Sequence, residues 1–323
     1  MKKLIISFAI FLASFNSTAH PGIGIVKDSK GNIYYTDLKY VWKITPDGNK
    51  TIVVSNVHTH ELYMDTADNL YGEHLWYNGE KTDTWGHYVW CLKNDGSLVK
   101  VKEPAEGFLE DYSFARDDAG NMYWVQRGPV SKFKKKSPDG NITVLAEGKF
   151  GFIGWLYCIR NGIIYFTENN TLKKLSPDGS ITLLADNLKS KRTDFSVMRR
   201  NYDTYGIWTD AENNVYVAMI DAKKVNRITP GGKVETIFHS TSIWTVCSGV
   251  FDNDGNLWVL ENSATNEVRV RKLDKQAINK PLSRTVLSPA KTHVFAIVST
   301  GLAIVITGLL LNKLINKPRL EFV

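Results

Sequence analysis

Polar turn residues and apolar, β-prone runs alternate along this chain with a period of about forty residues. A turn built on Asp, Gly and Asn recurs at Asp28, Gly31 and Asn32; at Asp65 and Asn69; at Asp117, Gly120 and Asn121; at Asn161 and Gly162; at Asp210 and Asn214; and at Asp252, Gly255 and Asn256. Aromatic and β-branched residues follow each turn, as in Tyr34 and Tyr35, Tyr71, Tyr123 and Trp124, Tyr165 and Phe166, Tyr216 and Val217, and Trp258 and Val259. Most units carry a second turn later, at Pro46 to Gly48, Asn94 to Gly96, Pro138 to Gly140, Pro177 to Gly179 and Pro230 to Gly232. Asx-Gly and Pro-Asp-Gly supply the backbone geometry of tight hairpins, so each unit reads as four antiparallel strands.

Six such units predict an all-β protein, a six-bladed β-propeller of four-stranded blades. The first turns are 37, 52, 43, 50 and 42 residues apart, close to the period of propeller blades and far too long for the coil of a β-helix. Radial closure lets so β-rich a chain avoid long exposed edges. The sixth unit lacks a clean second turn, and residues 267–273 and 283–287 are its expected last strands. Closure is expected without an N-terminal strand completing blade six.

The ends differ in pattern from the body. Residues 1–19 join Lys2 and Lys3, an apolar run from Leu4 to Phe15, and the small residues Ser17 and Ala19, the pattern of a cleaved signal peptide. Val294 to Leu311 is 18 residues without a charge, enough to span a bilayer as a C-terminal transmembrane helix. Lys313, Lys317 and Arg319 follow and place the tail, 312–323, in the cytoplasm. The expected organisation is thus a signal peptide, a propeller over 20–280, a linker over 281–293, a span and a tail. This makes an exported single-pass membrane protein with its propeller on the periplasmic or extracellular side.

The formal charge is +7, and four of those charges lie in the two terminal segments. The remainder gives no electrostatic case for nucleic acid, and the run Lys132, Lys134, Lys135, Lys136 reads as a solvated hairpin edge. Cys91, Cys158 and Cys247 fall in three different units, so buried free thiols are expected rather than a disulfide framework. No phosphate-binding Gly-Lys-Ser loop and no Gly-x-Ser-x-Gly elbow occurs.

The unit that runs through Asp28, Gly31, Asn32, Tyr34 and Tyr35 to Lys43, Pro46 and Gly48 resembles the repeats of the NHL and SMP-30/gluconolactonase-like propellers. The resemblance covers roughly residues 22–275 and implies a six-bladed fold. For the gluconolactonase group it also implies a divalent metal held in the channel by Glu, Asn and Asp. The chain departs from that pattern, since no Glu follows His20 in the first blade and Ser248 and Gly249 stand where the sixth would carry Asp. Ile164 to Glu168 and Leu257 to Glu261 are similar to the blade motif of streptogramin lyase-like propellers. That resemblance implies a lyase using His, Glu and magnesium, with Glu168 and Glu261 as carried-over positions and His60 and His74 as partners by type.

In a four-stranded meander both hairpin turns fall on one face, and the remaining loops share the other. Residues 74–88, 102–111 and 186–204 are the long loops expected there. Five residues beyond each first turn the same face receives Asp37, His74, Gln126, Glu168, Met219 and Glu261, with His58, His60, Glu61, Asp111 and Tyr112 at the inner-strand starts. This polar crown is the candidate ligand site, its members being Asp37, Glu61, His74, Tyr112, Gln126, Glu168 and Glu261. Each polar residue alternatively bonds backbone groups of a neighbouring blade. His58 and His60 form an alternating pair that, with Glu168 and Glu261, is the candidate set for a calcium or magnesium ion. Two functional readings follow: a module that binds a small molecule, glycan or protein through its long-loop face, or a metal-dependent lyase or hydrolase working in the channel.

Overall fold

Six antiparallel sheets stand around a central channel in the computed structural model, which describes residues 22–107, 109, 112–158, 161–189, 203–241, 243–263 and 265–279. Blade one comprises β1 (Ile25–Lys27), β2 (Ile33–Thr36), β3 (Tyr40–Ile44) and β4 (Lys50–Ser55). Blade two comprises β5 (Leu62–Met64), β6 (Leu70–Tyr77), β7 (Trp85–Leu92) and β8 (Leu98–Glu106). Blade three has β9 (Met122–Gln126), β10 (Ser131–Lys136) and β11 (Ile142–Gly148). Blade four has β12 (Ile153–Cys158), β13 (Ile164–Glu168), β14 (Thr171–Leu175) and β15 (Ile181–Ala185), and blade five has β16 (Thr204–Thr209), β17 (Val215–Met219), β18 (Lys224–Ile228) and β19 (Val234–His239). Blade six has β20 (Trp244–Phe251), β21 (Leu257–Ser263) and β22 (Val268–Leu273), after which the chain turns into α1 (Lys275–Asn279).

The recurring Asp is the part of the repeat that closes each inner hairpin. Asp28 accepts the N–H of Asn32 at 2.8 Å with one oxygen, and with the other the Asn32 amide at 2.6 Å and the Tyr34 hydroxyl at 3.1 Å. Asp65, Asp117 and Asp210 do the same with Asn69 and Tyr71, Asn121 and Tyr123, and Asn214 and Tyr216, while Asp252 takes Asn256 and the indole of Trp258. Gly31 sits at φ 82°, the left-handed region, and Asp68 and Asn213 fill the corresponding place in their turns at φ 60° and 61°. The motif thus ties a turn to the first aromatic of the next strand, which explains its repetition without any ligand.

The ring closes between blades one and six, where Lys27 donates to the Asn253 side chain at 2.8 Å and that amide donates to the Ser29 carbonyl at 3.1 Å. β1 pairs with β2 and no described N-terminal residue joins the sixth sheet. Two units differ from the expected four strands. Blade three has no regular inner strand, only a bridge from Arg116 to Met122, and blade six shows three described strands, with α1 where a second hairpin turn was expected. Ile278 of α1 is buried in the core, whereas residues 283–287 lie outside the described residues. The predicted loop 74–88 is instead a β-hairpin in which Trp85 pairs with Tyr77 and only 78–84 is irregular, because its aromatic residues prolong both strands. Likewise residues 102–106 belong to β8. The signal-peptide and membrane-span predictions, 1–19 and 294–311, lie outside the described residues, among which no helix is long and apolar enough to cross a membrane.

Candidate functional site

The inner strands of five blades and the segment 114–118 of blade three line a channel cavity of about 1190 Å³. What surrounds it differs from one blade junction to the next. Apolar clusters fill five junctions. Val41, Val54, Leu62, Leu70 and Trp90 join blades one and two; Phe133, Ile153 and Phe166 join three and four; Tyr165, Ile207 and Val217 join four and five. A larger cluster runs from Trp208 and Tyr216 of blade five through Val246 and Val259 of blade six to Ile25 and Tyr35 of blade one. Among the described residues no such cluster joins blades two and three.

That remaining junction is polar and aromatic. The Arg116 guanidinium reaches from blade three across the rings of Tyr63 and Tyr71 of blade two at 5.0 and 5.5 Å, and over Tyr112 at 4.6 Å. Alternation along a strand puts Glu61 on the same side as Tyr63, and Glu73 on the same side as Tyr71. One oxygen of Glu73 accepts the N–H of His60 at 2.5 Å and that of Glu61 at 3.3 Å, and lies 3.6 Å from the His60 ring nitrogen Nδ1. The other Glu73 oxygen is buried without a hydrogen-bond partner, as are Arg116 Nη2 and Nε2 of His87, a buried β7 residue of the same blade. Polar atoms so enclosed are rare in folded proteins; others lie on Thr167, Thr204 and Trp208, and those of Glu73, Arg116 and His87 fall at the one junction that lacks an apolar filling among the described residues.

Glu61 lines the channel, and its carboxyl is pushed up to about 8 because burial strips its water and the Glu73 charge opposes its ionisation. At neutral pH the pair therefore holds a proton on Glu61. The opposite face of blade two carries His74, whose ring nitrogen Nδ1 accepts the N–H of His58 at 3.0 Å. Burial holds the His74 ring below its usual value, with the Glu73 charge working the other way. The His58 and His60 rings lie 4.7 Å apart.

The structure thus brings His60 and Glu61 to Glu73, joins His58 to His74 on the opposite face, and puts Tyr112 on Arg116. It does not bring the rest of the crown to them. Asp37 caps its own hairpin, accepting the N–H groups of Lys39 and Tyr40 and the Trp42 indole at 2.7 Å. Glu168 accepts the Gly151 N–H at 2.6 Å and pairs with Lys173. Burial raises its pKa, but Lys173 and that N–H outweigh this and leave it below the carboxylate norm. Glu261 is 0% exposed, held by Arg269 at 2.7 Å, by Ser240 and, at 3.9 Å, by Arg271. Gln126 is exposed opposite Lys132, and Met219 is core. Each of these carboxylates serves a contact inside its own blade or to the strand beside it. Asp111 lies outside the described residues.

The proposed ion set of His58, His60, Glu168 and Glu261 does not converge, since both carboxylates are engaged in blades four and six. Among the described residues no group of three or more His, Cys, Asp or Glu is arranged to hold a metal ion. Cys91 is a buried free thiol, and Cys247 is buried with its sulfur on the Thr245 carbonyl. Sequence reasoning passed over Glu73, which sits one place before the inspected strand-end position, and Arg116, whose place before the turn is filled by Lys27 in blade one.

The closed ring of six meander sheets can now be compared with known proteins. No family model and no curated protein matches the chain. A gluconolactonase from Xanthomonas campestris is similar in structure, with a TM-score of 0.52 and 12% identity over 78% of this chain and 85% of that one. A putative gluconolactonase superposes with a TM-score of 0.52 and 14% identity, covering 82% and 97%. The fold is the six-bladed propeller fold of these two structures. Virginiamycin B lyase from Staphylococcus aureus has 14% identity over 80% of this chain and 86% of that one, with a TM-score of 0.42. At these identities the likeness establishes the fold, and the site must be argued from its own residues.

Proposed function

We propose that this propeller is an enzyme, a hydrolase or lyase that acts by general acid–base catalysis on a small molecule in its channel. The observation that carries the reading is the junction between blades two and three, where the Glu61 carboxyl faces the channel against Glu73, and burial and then the Glu73 charge push it up to about 8. A carboxyl titrating near the working pH can both give a proton to a leaving oxygen and, once ionised, take one from water or from carbon. Glu73 keeps the proton on Glu61 by its charge, and the backbone N–H groups of residues 60 and 61 hold Glu73 in place. Gluconolactonases with this fold supply a precedent by analogy alone. Among the described residues no ligand set for the divalent ion expected from the resemblance is formed, and no step in this reading passes through one.

The test is turnover of a panel of lactones and esters by the full chain. Glu61→Gln should cut kcat at least a hundredfold without lowering the thermal midpoint, and should remove a kcat/KM inflection near pH 8. Full activity in that variant would reject the reading.

A second reading, recognition through the long-loop face, has an observation of its own. Blade two's hairpin carries a ladder in which Trp76 lies 5.9 Å from His74 and 6.3 Å from Tyr88, with Tyr77 and Trp85 at 4.8 Å on the other side. Such rings suit a small-molecule, glycan or protein partner. Export by residues 1–19 and anchoring by 294–311 complete the proposal and rest on sequence pattern; the enzyme would then face the periplasmic or extracellular side. Membrane fractionation and protease access on intact cells check the orientation.

A further inference from the structure

We infer that Arg116 is an oxyanion-binding residue of the channel, so that the substrate of the acid–base site is a small molecule bearing a carboxylate or phosphate. The inference rests on the reading of Glu61 as the proton carrier for its catalytic half only. Three tyrosine rings, Tyr63, Tyr71 and Tyr112, cover the Arg116 guanidinium at 4.6 to 5.5 Å. Stacking of this kind uses the face of the planar group and leaves its in-plane N–H donors for acceptors. Nε donates to the Ser113 carbonyl at 3.0 Å, and Nη2 has no acceptor. Among the described residues no carboxylate forms a salt bridge with Arg116.

Other cations along the channel are differently placed. Arg227 is matched by Glu235 at 2.7 Å, and Lys27 donates to Asn253 at 2.8 Å. Arg116 lines the same cavity, and among the described residues no carboxylate pairs with it and its enclosed Nη2 has no acceptor. Its position relative to the acid is also informative. Arg116 stacks on Tyr63, and Tyr63 is two residues along β5 from Glu61 on the same side, a rise of roughly 6 to 7 Å. A compact molecule could thus set its oxyanion on the guanidinium edge while its reacting bond lies beside the Glu61 carboxyl. The forked donors of an arginine match the two oxygens of a carboxylate, or two of a phosphate. A role confined to holding blades two and three together would require the charge and the stacking, but not the fork.

The experiment uses the full-length protein and measures binding from the dependence of the thermal midpoint on ligand concentration at constant ionic strength. The probes are succinate, inorganic phosphate and the neutral isostere succinamide. Succinate or phosphate should stabilise the wild type in a saturable way and succinamide should not. Whichever of the two binds more tightly assigns the oxyanion as carboxylate or phosphate. Arg116→Lys keeps a cation over the rings and should weaken binding about tenfold or more, and Arg116→Gln should abolish it. If Arg116→Gln does not fold, Arg116→Lys decides alone. Glu61→Gln should bind the oxyanion as the wild type does while losing turnover. Unaltered affinity in the Arg116 variants, equal effects of succinate and succinamide, or no response to either anion would overturn the assignment. Loss of oxyanion binding in Arg116→Lys together with full turnover in Glu61→Gln would keep the anion site and remove the acid–base reading instead.

Discussion

The junction between blades three and four and that between blades two and three are built from the same repeat, yet they are filled in opposite ways. Between three and four, Phe133 and Phe166 meet at 4.6 Å with both side chains fully buried, and Phe150 closes edge-on at 5.4 Å. Between two and three, Arg116 spans tyrosine rings beside two glutamates and several enclosed polar atoms lack partners. The first junction gains hydrophobic free energy by excluding water, whereas Glu61, Tyr63, Tyr71, Tyr112 and Arg116 of the second are only partly buried. A ring with five apolar junctions can tolerate one polar seam, and chemistry that needs shifted protonation belongs in that seam.

The contrast can be broken first where its effect is largest. Phe166→Ala should destabilise the protein by about 3 to 5 kcal/mol in urea unfolding, since it opens a cavity among fully buried rings. A cost below about 1 kcal/mol would mean that this junction is not the close-packed one described. The next effect is the pH dependence of stability. Glu61 ionises near 4.5 when unfolded and near 8 in the folded protein, so between those values only the folded state holds the proton. Stability should therefore fall as pH rises from about 5 to 8, by on the order of a few kcal/mol, and level off above. Glu61→Gln should flatten that slope, and an equal slope in the variant would count against the assignment. Glu73→Gln removes the opposing charge and should bring the Glu61 titration down by about one unit, observable by carbon NMR of labelled glutamate. The smallest effect is expected at the hairpin tip, where Tyr77→Ser should change stability by less than about 1 kcal/mol because the ring is 41% exposed.

Some of this organisation could be read directly from residues. Asp28, Gly31 and Asn32 and their counterparts announce tight turns because their geometry and hydrogen bonds are local, and the structure shows those bonds. The strand-end crown was read from the same periodicity, but its placement says only that Asp37, Glu168 and Glu261 share a face. Whether a carboxylate points to a ligand or to Trp42, Lys173 or Arg269 depends on side-chain partners that periodicity does not encode. Glu73 was hidden for a related reason. A charged residue inside a β-rich run looks solvent-facing until the packing of the next blade is known.

By itself the amino-acid sequence determined the number of sheets, their hairpin turns and the face on which residues gather, since these follow from local backbone preference and a period repeated six times. Only the tertiary structure decided which junction is polar, that Glu61 faces Glu73 and that Arg116 lies across the tyrosine rings of the same junction. Burial and the approach of a second charge shift protonation only when distant segments enclose the same few ångströms, and that enclosure is a property of the closed ring.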